Sequence, residues 1–147
     1  MLKILIAEND LMIADMVEEI LVDGGYEVCG IARTIAEAVE LGRRYEPDLA
    51  IIDLRLDDNE LGTEIAAQLG TLGNLGVLYA TGNMSHVMLT GADGHACLGK
   101  PYGAADLLRS LTIVTEIVAT GTASPPFPRG FQVLASATTA RDRSSRG

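Results

Sequence analysis

The chain has 147 residues, enough for one hydrophobic core and too few for two. An apolar fraction of 48% against 21% charged residues excludes a disordered chain. A formal charge of -9 argues against a nucleic-acid partner, which calls for a basic face. That charge is uneven: residues 1–119 carry seven Lys/Arg against nineteen Asp/Glu, and residues 120–147 carry four Arg and one Asp. Cys29 and Cys97 sit in apolar surroundings and read as free buried thiols of a reducing compartment. No CxxC pair or Cys/His cluster suggests zinc, and His86 and His95 are isolated loop or surface residues. MLKILIAEND lacks signal-peptide architecture, and no apolar run reaches transmembrane length, so a cytoplasmic protein without a membrane partner is expected.

Short apolar runs alternate with helical patterns. Leu2 to Ala7 reads as a strand. Asp10 then caps a helix whose apolar positions Met12, Ile13, Met16, Val17, Ile20 and Leu21 recur at helical spacing until Gly24-Gly25. Tyr26 to Ala32 is a second strand. Thr34, with Glu37 three residues on, opens a second helix through about Arg44. Leu49 to Ile52 has the unbroken apolar character of a strand buried on both faces, and it ends in Asp53. An acid-rich loop leads to a third helix near Gly62 to Leu69. Val77 to Ala80 is a fourth strand, Ala96 to Leu98 a weaker fifth, and Ala104 starts the final helix.

Regular alternation of this kind implies parallel strands joined by right-handed crossovers, with helices on both faces of an open sheet. Functional groups in such sheets gather at the carboxyl ends of the strands. Those ends carry Glu8, Asn9 and Asp10 after strand one, Asp53 after strand three, Thr81 after strand four and Lys100 after strand five. Each has a plain structural use, as a cap, a turn residue or a surface charge; their convergence on one edge favours a shared one. Carboxylates and carbonyls are hard ligands suited to magnesium, and a carboxylate can take a phosphoryl group as an aspartyl-phosphate. A lysine and a hydroxyl beside it supply the positioning and charge stabilisation that phosphoryl transfer needs.

Four motifs in order, ILIAEND, IIDLRL, YATG and GKP, resemble those of response-regulator receiver domains of two-component signalling over residues 1–119. The resemblance implies a flavodoxin-like (βα)5 fold, an α/β doubly wound five-stranded parallel sheet. It implies Asp53 as phosphoacceptor, Thr81 and Lys100 as catalytic partners, and Mg2+ held by Glu8, Asn9, Asp53 and the main-chain carbonyl of Arg55. The phosphodonor is then a histidine kinase or histidine phosphotransfer protein. Signalling passes through protein–protein contact with an output protein, and the chain catalyses only its own phosphorylation and dephosphorylation. Arg55 and Asn83, two residues past Asp53 and Thr81, fall where the approach of hydrolytic water is tuned, and the bulk of Arg55 suggests slow hydrolysis.

Three features depart from the family pattern. Asn9 replaces an acid expected to touch the metal, which should weaken magnesium binding. Cys97 occupies the switch position three residues before Lys100, where an aromatic is usual. Only a short, Gly-rich stretch separates Thr81 from Lys100, so the fourth helix should be shortened or irregular. Tyr79-Ala80-Thr81-Gly82 is similar to a stand-alone subgroup with a Phe-Ala-Thr-Gly-x-Tyr pattern, although Met84 replaces its final Tyr. A phosphorylation-independent pseudo-receiver, acting as a binding module, is the competing reading. An aspartate phosphohydrolase would want an acid at Arg55, and flavin binding would want a phosphate loop after strand one.

Residues 120–147 form a Pro/Gly/Ser-rich tail, too short and of the wrong composition for a DNA-binding output domain. The tail is expected to be partly disordered or to dock through Phe127 and Phe131, the only Phe residues of the chain. The final helix carries Leu107, Leu108, Leu111, Ile113, Val114, Ile117 and Val118, a stripe wider than one core requires. Its extra burial could come from a partner, from the tail or from a homodimer through the helix 4–strand 5–helix 5 face.

Overall fold

The computed structural model describes residues 1–57, 60–70, 73–82 and 89–134. The parallel strands β1 (Lys3–Ala7), β2 (Glu27–Ala32), β3 (Leu49–Asp53), β4 (Gly76–Thr81) and β5 (Ala96–Gly99) are interleaved with helices α1 (Leu11–Asp23), α2 (Ile35–Tyr45) and α3 (Thr63–Leu69). Helix α4 (Ala104–Thr120) follows β5. A further strand, β6 (Phe131–Val133), lies antiparallel to β5 and completes the order β2-β1-β3-β4-β5-β6. The sequence pattern leads one to expect five strands. The sixth comes from the segment read as a tail, and three residues are too few to display an alternation.

The local causes are legible. The Asp10 carboxylate accepts from the N–H groups of Met12 and Ile13, satisfying donors that the first turn of α1 leaves open. Gly25, at φ +92°, turns the chain out of that helix. Thr34 Oγ1 accepts from Glu37 N–H while Glu37 reaches back to the Arg33 N–H, a reciprocal closure of the first turn of α2.

Strand β3 is buried from Leu49 to Ile52. Its alternation places Ala50 and Ile52 in a core with Ile65 and Leu69 of α3 and Val39 of α2. Leu49 and Ile51 face the opposite core, with Leu21 of α1 and Leu107 and Leu111 of α4. Burial of each Ile or Leu is worth about 2 kcal/mol, against about 1 for a ladder hydrogen bond, so side-chain packing fixes the register. A slip of one residue would exchange the two faces and displace Asp53 from the sheet edge.

Residues 83–88, where the shortened fourth helix was expected, lie outside the described residues. So do Asn83, Met84 and His86. Among the described residues no helix separates β4 from β5; residues 91–93 form a turn closed by Asp93 N–H to Thr90 C=O at 2.9 Å. Ile113 and Val114 of α4 are fully buried within the single chain. The tail's Phe131 packs against the same core as Leu107, Leu111 and Val114, so covering this stripe does not require a second copy.

Candidate functional site

Parallel pairing brings the ends of β1, β3, β4 and β5 to one edge. Asp53 stands opposite Ala80, and the next residue of β4, Thr81, stands opposite Gly99, which hands the chain to Lys100. The Lys100 N–H donates to the Thr81 carbonyl at 2.7 Å, and the Leu54 N–H to the Ala80 carbonyl at 3.2 Å. The backbone continues its ladder past the formal strand ends, so the site residues stand on a rigid frame.

Lys100 Nζ donates to Glu8 Oε1 at 2.8 Å and to Asp53 Oδ2 at 3.2 Å. The other Glu8 oxygen accepts the Asp10 N–H at 3.1 Å, and Asp53 Oδ1 accepts the Arg55 N–H at 3.3 Å. Glu8 is only 5% exposed and Thr81 9%. Burial pushes the Glu8 carboxyl up; Lys100 and the Asp10 N–H pull it back, and neighbouring Asp53 adds to the rise. Burial works against the Lys100 ammonium, but the hydrogen bond to Glu8 and the charges of Asp53 and Glu8 outweigh it and raise its pKa. Two acids thus face one ammonium, and Glu8 and Lys100 each hold a proton more tightly than in water.

The residues expected at the site take differing parts. Glu8, Asp53 and Lys100 form one ionic cluster. Thr81 lies on the adjoining strand and is buried. The Arg55 side chain is exposed, while its backbone bridges to Leu61 across the loop after β3. Asn9 is half-buried beside Glu8. Asp10 is engaged as the cap of α1, and Asp57 pairs with Arg33 at 3.3 Å, away from the cluster. Cys97 is fully buried opposite Tyr79, and burial pushes its thiol to about 11, so it is a packing element rather than a nucleophile. The donors near Asp53 are hard oxygens. Among the described residues no group of three or more acid, His or Cys side chains converges as a metal site. A third carboxylate is what Asn9 withholds.

Other residues shape the site without a sequence signal strong enough to find them. A Cβ on Gly62 would run into the Asp53 carbonyl oxygen, and the Gly62 N–H donates to the Leu54 carbonyl at 2.9 Å. Its lack of a side chain lets the loop close against the end of β3. Tyr102, two residues past Lys100, has its phenol pushed to about 12 by burial, with Lys100 pulling it down and Glu8 and Asp53 adding to the rise. Tyr79 donates its hydroxyl to the Asp93 carbonyl at 2.7 Å and ties the loop before β5 to β4.

This architecture has many relatives. The model of the response regulator receiver domain matches residues 4–112. The transcriptional regulatory protein PdtaR of Mycobacterium tuberculosis is 32% identical over 118 residues, covering 78% of this chain and 57% of that protein. The chain thus spans a little over half the length of the curated relatives it matches. Among solved structures, a CheY-like receiver domain protein from Methanospirillum hungatei superposes with a TM-score of 0.73 at 28% identity, covering 83% of this chain and 99% of that one. The signal receiver domain of a modulated diguanylate cyclase from Desulfovibrio desulfuricans gives 0.69 at 26% identity, with the same coverage. No helix among the described residues is long and apolar enough to cross a membrane. With the strand-end cluster of Glu8, Asp53 and Lys100 and a family match across nearly three quarters of its length, the chain belongs to the response regulator receiver domains.

Proposed function

We propose that Asp53 accepts a phosphoryl group from a phosphohistidine on a kinase or phosphotransfer protein, and that the chain then signals through protein–protein contact. The observation that carries this reading is the position of Lys100 Nζ, 3.2 Å from Asp53 Oδ2 and 2.8 Å from Glu8 Oε1. An Asp53 oxygen attacks phosphorus as the P–N bond to the donor imidazole breaks; the imidazole leaves with the bonding pair and takes up a proton. Lys100 turns from the carboxylate to an oxygen of the incoming group, and the Thr81 hydroxyl donates to another. Glu8 stays behind as the counter-charge that keeps the ammonium in place. Magnesium is proposed as a weakly held partner of Glu8, Asn9, Asp53 and the Arg55 carbonyl, where it would supply further neutralisation of the phosphoryl oxygens. The side chain of Arg55 is proposed to slow hydrolysis by crowding the approach of water.

The test is incubation with a phosphodonor and magnesium, followed by intact-mass measurement and size-exclusion chromatography. The wild type should gain one phosphoryl mass that Asp53→Asn does not, and should lose it slowly. A shift to earlier elution on phosphorylation would report a homodimer. A second reading, a pseudo-receiver that binds partners without phosphate, draws on Asn9 and Cys97, two departures from the family pattern. It stands if no donor gives an Asp53-dependent mass gain.

A further inference from the structure

Residues 121–134 lie as a strap across α4 and along the outer edge of β5. One end is pinned to α4. Arg109 donates to the carbonyls of Ser124 and Pro126 at 2.7 and 3.0 Å, and Glu116 accepts from the Ser124 N–H and hydroxyl at 2.9 and 2.7 Å. The other end pairs with β5. The Gly99 N–H donates to the Gly130 carbonyl at 3.0 Å and the Leu134 N–H to the His95 carbonyl at 2.9 Å, on either side of the three-residue register. Phe131, stacked on Phe127 at 5.8 Å between ring centroids, packs into the core shared by α1 and α4, whereas Leu134 is buried in the opposite core. Gly130, at φ +79°, turns the strap onto the strand.

The upper bond of this pairing lies one residue from Lys100. Strand β5 has four residues and ends at Gly99, so strap, strand and site lysine form one short mechanical unit. Any movement that lets Lys100 leave Glu8 and Asp53 must be taken up by a partly buried side chain or passed to Gly99. A three-residue edge pairing is among the weaker units of a sheet and yields before the parallel core does. The α4 pins would confine the loosening to residues 127–134. We propose that the strap is coupled to the ionic cluster through Gly99 and Lys100, so that a change in what Lys100 holds opens the edge of β5. The opened edge presents unpaired backbone N–H and C=O groups, flanked by the seats of Phe131 and Leu134, to an extended peptide segment of a partner.

Amide hydrogen exchange on the full chain tests this, with the β1–β2 amides as internal reference. The phosphorylation arm rests on the phosphoacceptor reading above; the substitution arm does not. In protein shown by mass to carry a phosphoryl group on Asp53, the amides of Gly99 and Leu134 should exchange roughly tenfold faster while β1–β2 stays unchanged. Phosphorylated protein with unchanged exchange at both positions overturns the coupling. If no donor phosphorylates Asp53, the phosphoacceptor reading fails by itself and the strap is judged on Lys100→Met. A rise in exchange at Leu134 that exceeds any rise at β1–β2 in that variant supports the coupling, and a rise no larger than that at β1–β2 refutes it. Should Lys100→Met lose β1–β2 protection, Glu8→Gln, which leaves Lys100 on Asp53, is read in the same way with a smaller expected increase.

Discussion

The carboxyl end of β5 and its outer edge are held by different forces. At the end, Lys100 is fixed by two charge-assisted hydrogen bonds in a largely buried setting. Along the edge, residues 131–134 are fixed by backbone pairing and by two apolar side chains, Phe131 and Leu134, that enter different cores. The difference teaches that the same short strand serves a site that depends on charge balance and a surface that depends on packing. Removing one partner should therefore cost most where a buried charge is left behind. Lys100→Met strands Glu8, 6% exposed at its side chain, beside Asp53, and should destabilise by roughly 3 kcal/mol in denaturant unfolding. Adding Glu8→Gln should restore a good part of that loss, because the stranded charge goes with it. Purely additive losses would show that the cluster is not an electrostatic unit.

The edge should respond to truncation instead. Leu134→Ala removes a side chain that is 5% exposed at the margin of the core with Val77, Tyr79 and Cys97, and should cost about 2 kcal/mol, near the low end for such changes because the strap can settle inward. Gln132→Ala, on the exposed central residue of β6, should stay within about 0.5 kcal/mol. Equal and small effects for both would mean that the edge contributes no packing energy and that backbone pairing and the pins to α4 hold the strap.

The same contrast explains what could be read from the sequence. The ionic end was legible because it is written in residue types: an acid after a greasy run, a lysine before a proline, and a threonine after a buried strand. Parallel topology then forces them together. The edge is written in geometry. Phe127 and Phe131 suggested that something docks, but FQV is too short for a pattern, and nothing in it names β5 as the neighbour. Gly62 was equally silent, because a glycine in a loop has many uses and only the approach of the Asp53 carbonyl shows which one applies. Asn9 and Cys97 were visible as departures, and their chemistry follows from where they sit: one beside Glu8, one sealed in the core.

Between the two regions stands His95, which touches both β4 and the strap. Its Nδ1 accepts the Val77 N–H at 3.0 Å, and its backbone N–H and carbonyl pair with Val77 and Leu134. Burial lowers its pKa, so the folded protein favours the neutral ring, the only form whose Nδ1 can accept that bond. The unfolded chain binds the proton more readily. The stability from this residue is therefore complete above the ordinary histidine pKa and is lost as pH falls from there through the lowered folded value. Comparing wild type with His95→Gln by thermal unfolding isolates the effect from that of Glu8, which titrates in both proteins. The advantage of the wild type should shrink by about 1 kcal/mol, one hydrogen bond's worth, between about pH 7.5 and about pH 5.5. A constant advantage would mean that the ring packs against Val77 without the bond mattering, and that the strap's lower anchor is indifferent to charge.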